Sequence, residues 1–191
     1  SYSGVYFDGT GTVTNQAGGA ISNTGTAVRF AGAGSALDNA GSISNTTNSS
    51  AVYFANTGTV VNRADGTITS ANARAVRMAG VDASVTNAGL IAGGDTGVFL
   101  EGANGSVTNT GTIRITGGSA NDIISGVYSS ATGTTVTNSG TIESSLTDGR
   151  GVYLAGGTGT ITNQSGGTIS GNGTGAAILL TGAGYTLDLQ A

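Results

Sequence analysis

Hydrophobic residues in this chain come in short alternating bursts, never in long runs. The first kind of burst is a β-branched residue, one intervening residue and, as a rule, a second apolar residue. It occurs as Val5-Tyr6-Phe7, Val28-Arg29-Phe30, Val52-Tyr53-Phe54, Val76-Arg77-Met78, Val98-Phe99-Leu100, Val127-Tyr128-Ser129, Val152-Tyr153-Leu154 and Ile178-Leu179-Leu180. The spacing between these is 22 to 29 residues. A second burst places an apolar residue two positions before an Asn: Val13/Asn15, Leu37/Asn39, Val60/Asn62, Val85/Asn87, Val107/Asn109, Val136/Asn138 and Ile161/Asn163. Its eighth copy has Leu187 followed by Leu189 where the Asn would stand. A third burst centres on Ile21, Ile43, Ile68, Ile91, Ile113, Ile142 and Ile169, each with a Gly two residues before it.

Alternation over a few residues, bounded by Gly, Asn and Ser, is the pattern of a strand between tight corners. No window carries a sustained helical period. Three strands in about 24 residues cannot bury a face alone, but stacked repeats bury Val on Val and Ile on Ile. The predicted fold is therefore an all-β parallel β-solenoid (β-helix) of about eight rungs with three short strands each. At about 4.8 Å per rung the rod is roughly 38 Å long. Residues 1–191 form one such domain, and both ends fall within a repeat, as in a segment of a longer solenoid.

Parity along each burst assigns sides. In Gly9–Gln16, GTGTVTNQ, and its near copy Gly157–Gln164, GTGTITNQ, the Thr residues flank the apolar residue and point outward. Asn shares parity with the apolar residue and points inward. Asn15, Asn39, Asn62, Asn87, Asn109, Asn138 and Asn163 thus form an expected internal ladder, each amide bonding the next and capping corner backbone groups. One irregularity is an insertion at 117–124, GGSANDII. The same rung carries Ser129 where others carry Phe, Met or Leu, so the expectation is that Ile123 or Ile124 covers the apolar gap beside Ser129.

With these segments laid out, the chain resembles passenger domains of Gram-negative autotransporters. The motifs that carry the resemblance are VTNTGTI (Val107–Ile113), VTNSGTI (Val136–Ile142) and the GVYF, GVFL and GVYL segments at Gly4, Gly97 and Gly151. The resemblance implies a right-handed parallel β-helix. It also implies display at the bacterial cell surface, or release from it, after export through a C-terminal outer-membrane barrel. The corresponding function is adhesion in virulence, with a host surface protein, a glycan or another copy of the chain as partner.

Composition narrows the chemistry. The chain of 191 residues has 36 Gly, no Cys, His, Pro or Trp, and six basic residues that are all Arg. Without His, Cys or Lys, the common proton-transfer groups, thiol nucleophiles and Schiff-base amines are missing. The ten carboxylates are scattered along the chain, so a paired-carboxylate glycosidase is not expected, and neither is any enzyme activity or cofactor. A net charge of −4 speaks against nucleic acid. No apolar run is long enough to cross a membrane as a helix. Gly93-Gly94-Asp95 is the nearest piece to a calcium-solenoid motif and occurs once, as expected of a turn.

The outward middle position of the first burst is the candidate site. Up the rod it reads Tyr6, Arg29, Tyr53, Arg77, Phe99, Tyr128, Tyr153 and Leu179. Such a file is either a stabilising ladder of high β-propensity residues or a binding stripe, because Tyr and Arg dominate binding hot spots. A second line of outward hydroxyls, Thr12/Thr14, Ser84/Thr86, Ser106/Thr108, Thr135/Thr137 and Thr160/Thr162, raises the alternative of an ice-binding solenoid. A spacer that binds nothing is the third possibility.

Overall fold

The computed structural model describes residues 3–117 and 123–190. All regular structure in these residues is β, in strands of three to five residues. Each turn of about 25 residues lays down one strand in each of three sheets. The first sheet has eight strands from Val5–Phe7 to Ile178–Leu180, and the second has eight from Thr12–Asn15 to Tyr185–Leu189. The third has seven, from Ala20–Asn23 to Thr168–Ser170. The chain is thus a parallel β-solenoid of about seven complete turns, with two strands of an eighth, in line with the expected stack of about eight rungs. Every pairing is parallel and in the register that the sequence pattern implies: Val28 pairs Val52, Val85 pairs Val107, and Ile113 pairs Ile142.

The interior is a stack of like on like. Val28, Val52, Val76, Val98, Val127 and Val152 of the first sheet are fully buried, as are Ile43, Ile68, Ile91, Ile113 and Ile142 of the third. Each contributes on the order of 1.5–3 kcal/mol of burial. The second inward column of the first sheet starts with aromatics. Phe7, Phe30 and Phe54 stack with ring centroids 5.4 and 4.5 Å apart, then give way to Met78 and Leu100. Glycine or alanine precedes each Val because that corner faces the third sheet. A Cβ on Gly126 would lie 2.7 Å from Ile142 Cγ2 and 2.8 Å from Gly151 O.

The Asn ladder is present as expected. Nδ2 of each Asn donates to Oδ1 of the next turn's Asn, from Asn15 through Asn39, Asn62, Asn87, Asn109 and Asn138 to Asn163, at 2.7–2.8 Å. The same Nδ2 reaches a corner glycine carbonyl, such as Gly89 O from Asn87 at 3.1 Å. In the eighth turn Leu189 stands beside Asn163 and is 63% exposed. Tyr185 there replaces a glycine. Its hydroxyl donates to Leu154 O and accepts from Gly157 N–H.

Most of the 117–124 insertion lies outside the described residues. Ile123 and Ile124 are half-buried and precede the strand Ser125–Ser129, so they sit at its opposite end from Ser129. The expected apolar patch over Ser129 is therefore not how this rung is completed. Ser129 is itself fully buried between Leu100 and Leu154, and its Oγ lies 2.6 Å from Thr134 Oγ1. In the flanking turns the partners are Leu100 with Gly105 and Leu154 with Gly159. A Cβ on either glycine would come within 3.0–3.2 Å of the leucine. Ser with Thr and Leu with Gly are two ways of filling the same space.

Candidate binding face

The first sheet projects its middle residues outward because each strand alternates in, out, in. Parallel register then aligns them into one file: Tyr6 pairs Arg29, Arg29 pairs Tyr53, and Tyr53 pairs Arg77. The file continues through Phe99, Tyr128, Tyr153 and Leu179. All seven candidate residues are therefore brought together on one face.

The lower half alternates rings and guanidinium groups. Arg29 Cζ lies 5.6 Å from the Tyr6 ring centroid and 5.4 Å from that of Tyr53. Arg77 Cζ lies 4.8 Å from Tyr53. Each such contact at a partly exposed site is worth about 0.5–1 kcal/mol. The upper half is ring on ring, with Phe99–Tyr128 centroids at 4.9 Å and Tyr128–Tyr153 at 5.1 Å. Exposure is uneven. Tyr6 is 52% exposed, whereas Phe99 and Tyr128 are 8% and 9% exposed. Burial raises the Tyr128 phenol above its ordinary pKa, and neighbouring Tyr153 adds to the shift. The stripe is thus accessible at Tyr6, Arg29, Tyr53, Arg77 and Tyr153, and closed at Phe99 and Tyr128.

Three residues join this face that the middle-position reading omits. Glu101 accepts from Arg77 Nε at 2.9 Å and from Nη2 at 3.1 Å. Arg74 Cζ lies 5.1 Å from the Phe99 ring, and Arg150 Cζ lies 5.1 Å from the Tyr153 ring. The signal for the two arginines was an Arg two residues before Val76 and Val152 in an otherwise small-residue column. At the base of the face, the Tyr6 hydroxyl donates to Asp8 Oδ1 at 2.9 Å, and this bond raises the Tyr6 pKa.

The outward face of the second sheet carries the hydroxyl array. Ser84/Thr86, Ser106/Thr108, Thr135/Thr137 and Thr160/Thr162 occupy four successive turns in register. Among the described residues none of these hydroxyls bonds to the protein. Below them the array is interrupted by Val61 and by Asp38, which pairs with Arg63. That pairing holds the Asp38 carboxyl below its ordinary pKa. A shallow groove of about 400 Å³ follows the corner between the second and third sheets, floored by Gly66, Gly89 and Gly111. Among the described residues no three acidic, His or Cys side chains are grouped to hold a metal ion, and no helix is long and apolar enough to cross a membrane. Gly93-Gly94-Asp95 forms the corner between the strands Leu90–Gly93 and Thr96–Leu100, as a turn should.

Compared with protein-family models, with curated proteins and with solved structures, the chain matches none. The β-helix repeat therefore rests on its own geometry.

Proposed function

We propose that the chain is an extracellular adhesion rod that binds its partner through the outer face of the first sheet. The observation that carries this reading is the in-register file of aromatic and arginine side chains, open at Tyr6, Arg29, Tyr53 and Arg77 and again at Tyr153. Rigid amphipathic side chains fixed on a flat sheet lose little entropy on binding, which is why Tyr and Arg dominate hot spots. The passenger-like VTNxGTI and GVYL motifs support display outside a Gram-negative cell. The experiment is binding of the purified chain to immobilised glycans and matrix proteins, beside a Tyr53→Ala/Tyr153→Ala variant. Loss of binding with an unchanged β spectrum supports the face. Equal binding by the variant refutes it. Sedimentation velocity in the same samples reports whether rods bind each other.

A second reading has its own observation. The four-turn array of unengaged Ser and Thr hydroxyls on the second sheet is a flat surface able to order water, as in ice binding. Thermal hysteresis of the purified chain supports it. Absence of hysteresis ends it.

A further inference from the structure

Among the described residues, three guanidinium groups on the first-sheet face have neither a hydrogen bond nor an ion pair: Arg29, Arg74 and Arg150. Each is held against a ring, Arg29 between Tyr6 and Tyr53, Arg74 over Phe99, and Arg150 over Tyr153. The fourth stacked arginine, Arg77, is already occupied by both carboxylate oxygens of Glu101. A guanidinium carries five N–H donors and no acceptor. Its unused fork matches an oxyanion in two parallel charge-assisted bonds. Arg29 Nε is buried and without a partner, so a carboxylate at this residue meets the two Nη groups end-on. The flanking rings hold the forks in place and reduce the ordering cost of binding.

The three groups lie in the second, fourth and seventh turns, as their register with Tyr53, Thr96 and Ser125 shows. With one turn per strand spacing, the steps between them measured along the rod axis are about 10 and 14 Å. A ligand that meets all three is extended, and its negative charges are sparse. Duplex DNA, with a charge every ~1.7 Å of axis, is far too dense for three cations on a chain of net charge −4. A polysaccharide with one acidic sugar every few units has the right charge density, and its hydroxyls can meet the tyrosine phenols along the way.

We propose that this face binds a linear uronate-bearing glycan laid along the rod axis, its carboxylates paired with Arg29, Arg74 and Arg150. The proposal rests on the reading of the first sheet as the binding face and names the ligand class for it. Glu101 then acts as an internal competitor that keeps Arg77 from contributing a fourth site.

The test is biosensor binding of the chain to hyaluronan, heparin, neutral dextran and duplex DNA over a range of NaCl. The expected result is binding to hyaluronan that weakens with salt, with no binding to dextran or DNA. Arg29→Gln and Arg150→Gln each weaken it about tenfold or more, the value of a charge-assisted bond, and flatten the salt dependence. Glu101→Gln frees Arg77 and strengthens binding severalfold, a gain that a misfolded variant cannot mimic. Equal binding to DNA or dextran, binding to heparin alone, or unchanged affinity in the Arg29→Gln/Arg150→Gln double variant overturns the proposal. Binding to a neutral glycan or a matrix protein that is lost in the tyrosine variant but kept in the arginine variants overturns the uronate assignment and leaves the binding face standing. No binding to anything overturns both.

Discussion

Replacing Asn87 by Ala tests whether the internal amide ladder holds the turns together. Asn87 is fully buried. It accepts from Asn62 Nδ2 at 2.8 Å and donates to Asn109 Oδ1 at 2.8 Å, to Gly89 O at 3.1 Å and to Thr112 O at 3.1 Å. Truncation does not strand everything equally. Asn62 Nδ2 keeps Gly66 O and Leu90 O, and Gly89 O keeps the Thr112 N–H. Asn109 Oδ1 loses the donor that reached it from the turn below. An orphaned buried acceptor costs about 1–3 kcal/mol, and the void left by a carboxamide adds about 1 kcal/mol. The expected destabilisation is therefore about 2–4 kcal/mol.

Asn163 is the matched control. It accepts from Asn138 but has Leu189 beside it in the next turn, so its own amide donates to Gly167 O and no further Asn depends on it. Asn163→Ala leaves no orphaned acceptor in the ladder and is expected to cost less than about 1.5 kcal/mol. Urea unfolding followed by far-ultraviolet circular dichroism measures both variants. A repeat rod need not unfold in one step, so the comparison uses the first transition of each variant. Equal loss in the two variants, or less than about 1 kcal/mol for Asn87→Ala, would refute the argument that ladder continuity carries the stability.

The Ser129 rung invites a double-mutant cycle. Ser129→Leu is expected to clash with Thr134, and Thr134→Gly to take away the Ser129 hydroxyl's 2.6 Å partner and leave it only the longer bonds to Ala131. The double variant recreates the Leu/Gly pairs of the flanking turns, so a coupling of about 1–3 kcal/mol in its favour is expected. Additive losses would show that the two positions do not share one space. Alkaline pH should weaken the fold through Tyr128. Its folded pKa is raised above the 10.0 of an ordinary tyrosine by burial and then by Tyr153, so its stabilising contribution is whole below pH 10 and is lost as pH rises through the folded value. Tyr128→Phe should remove that part of the slope in urea midpoints across this range; an unchanged slope would contradict it.

Much of this architecture is legible residue by residue. The inward side of Asn15 and Asn87 follows from parity with Val13 and Val85, and the pairing of Tyr6 with Arg29 follows from aligning successive Val residues. Ser129 was legible as an anomaly, but its solution was not. Its partner Thr134 lies across a corner in the next sheet, where alternation within either strand says nothing about packing between them. The face tells the same story. Seven aligned residues were readable, yet Arg74 and Arg150 reach it from a different column.

What the sequence determined by itself is the period, the three sheets, the register and the side to which each alternating residue points. These depend on short-range alternation and on repetition, and both are written along the chain. Only the tertiary structure decided that Phe99 and Tyr128 are closed while Tyr6 is open, and that Glu101 neutralises Arg77 while Arg29 stays free. Those outcomes depend on which side chains from neighbouring turns and adjacent sheets meet across a corner. That is set by long side chains reaching over distances of one turn or more, and no local pattern encodes it.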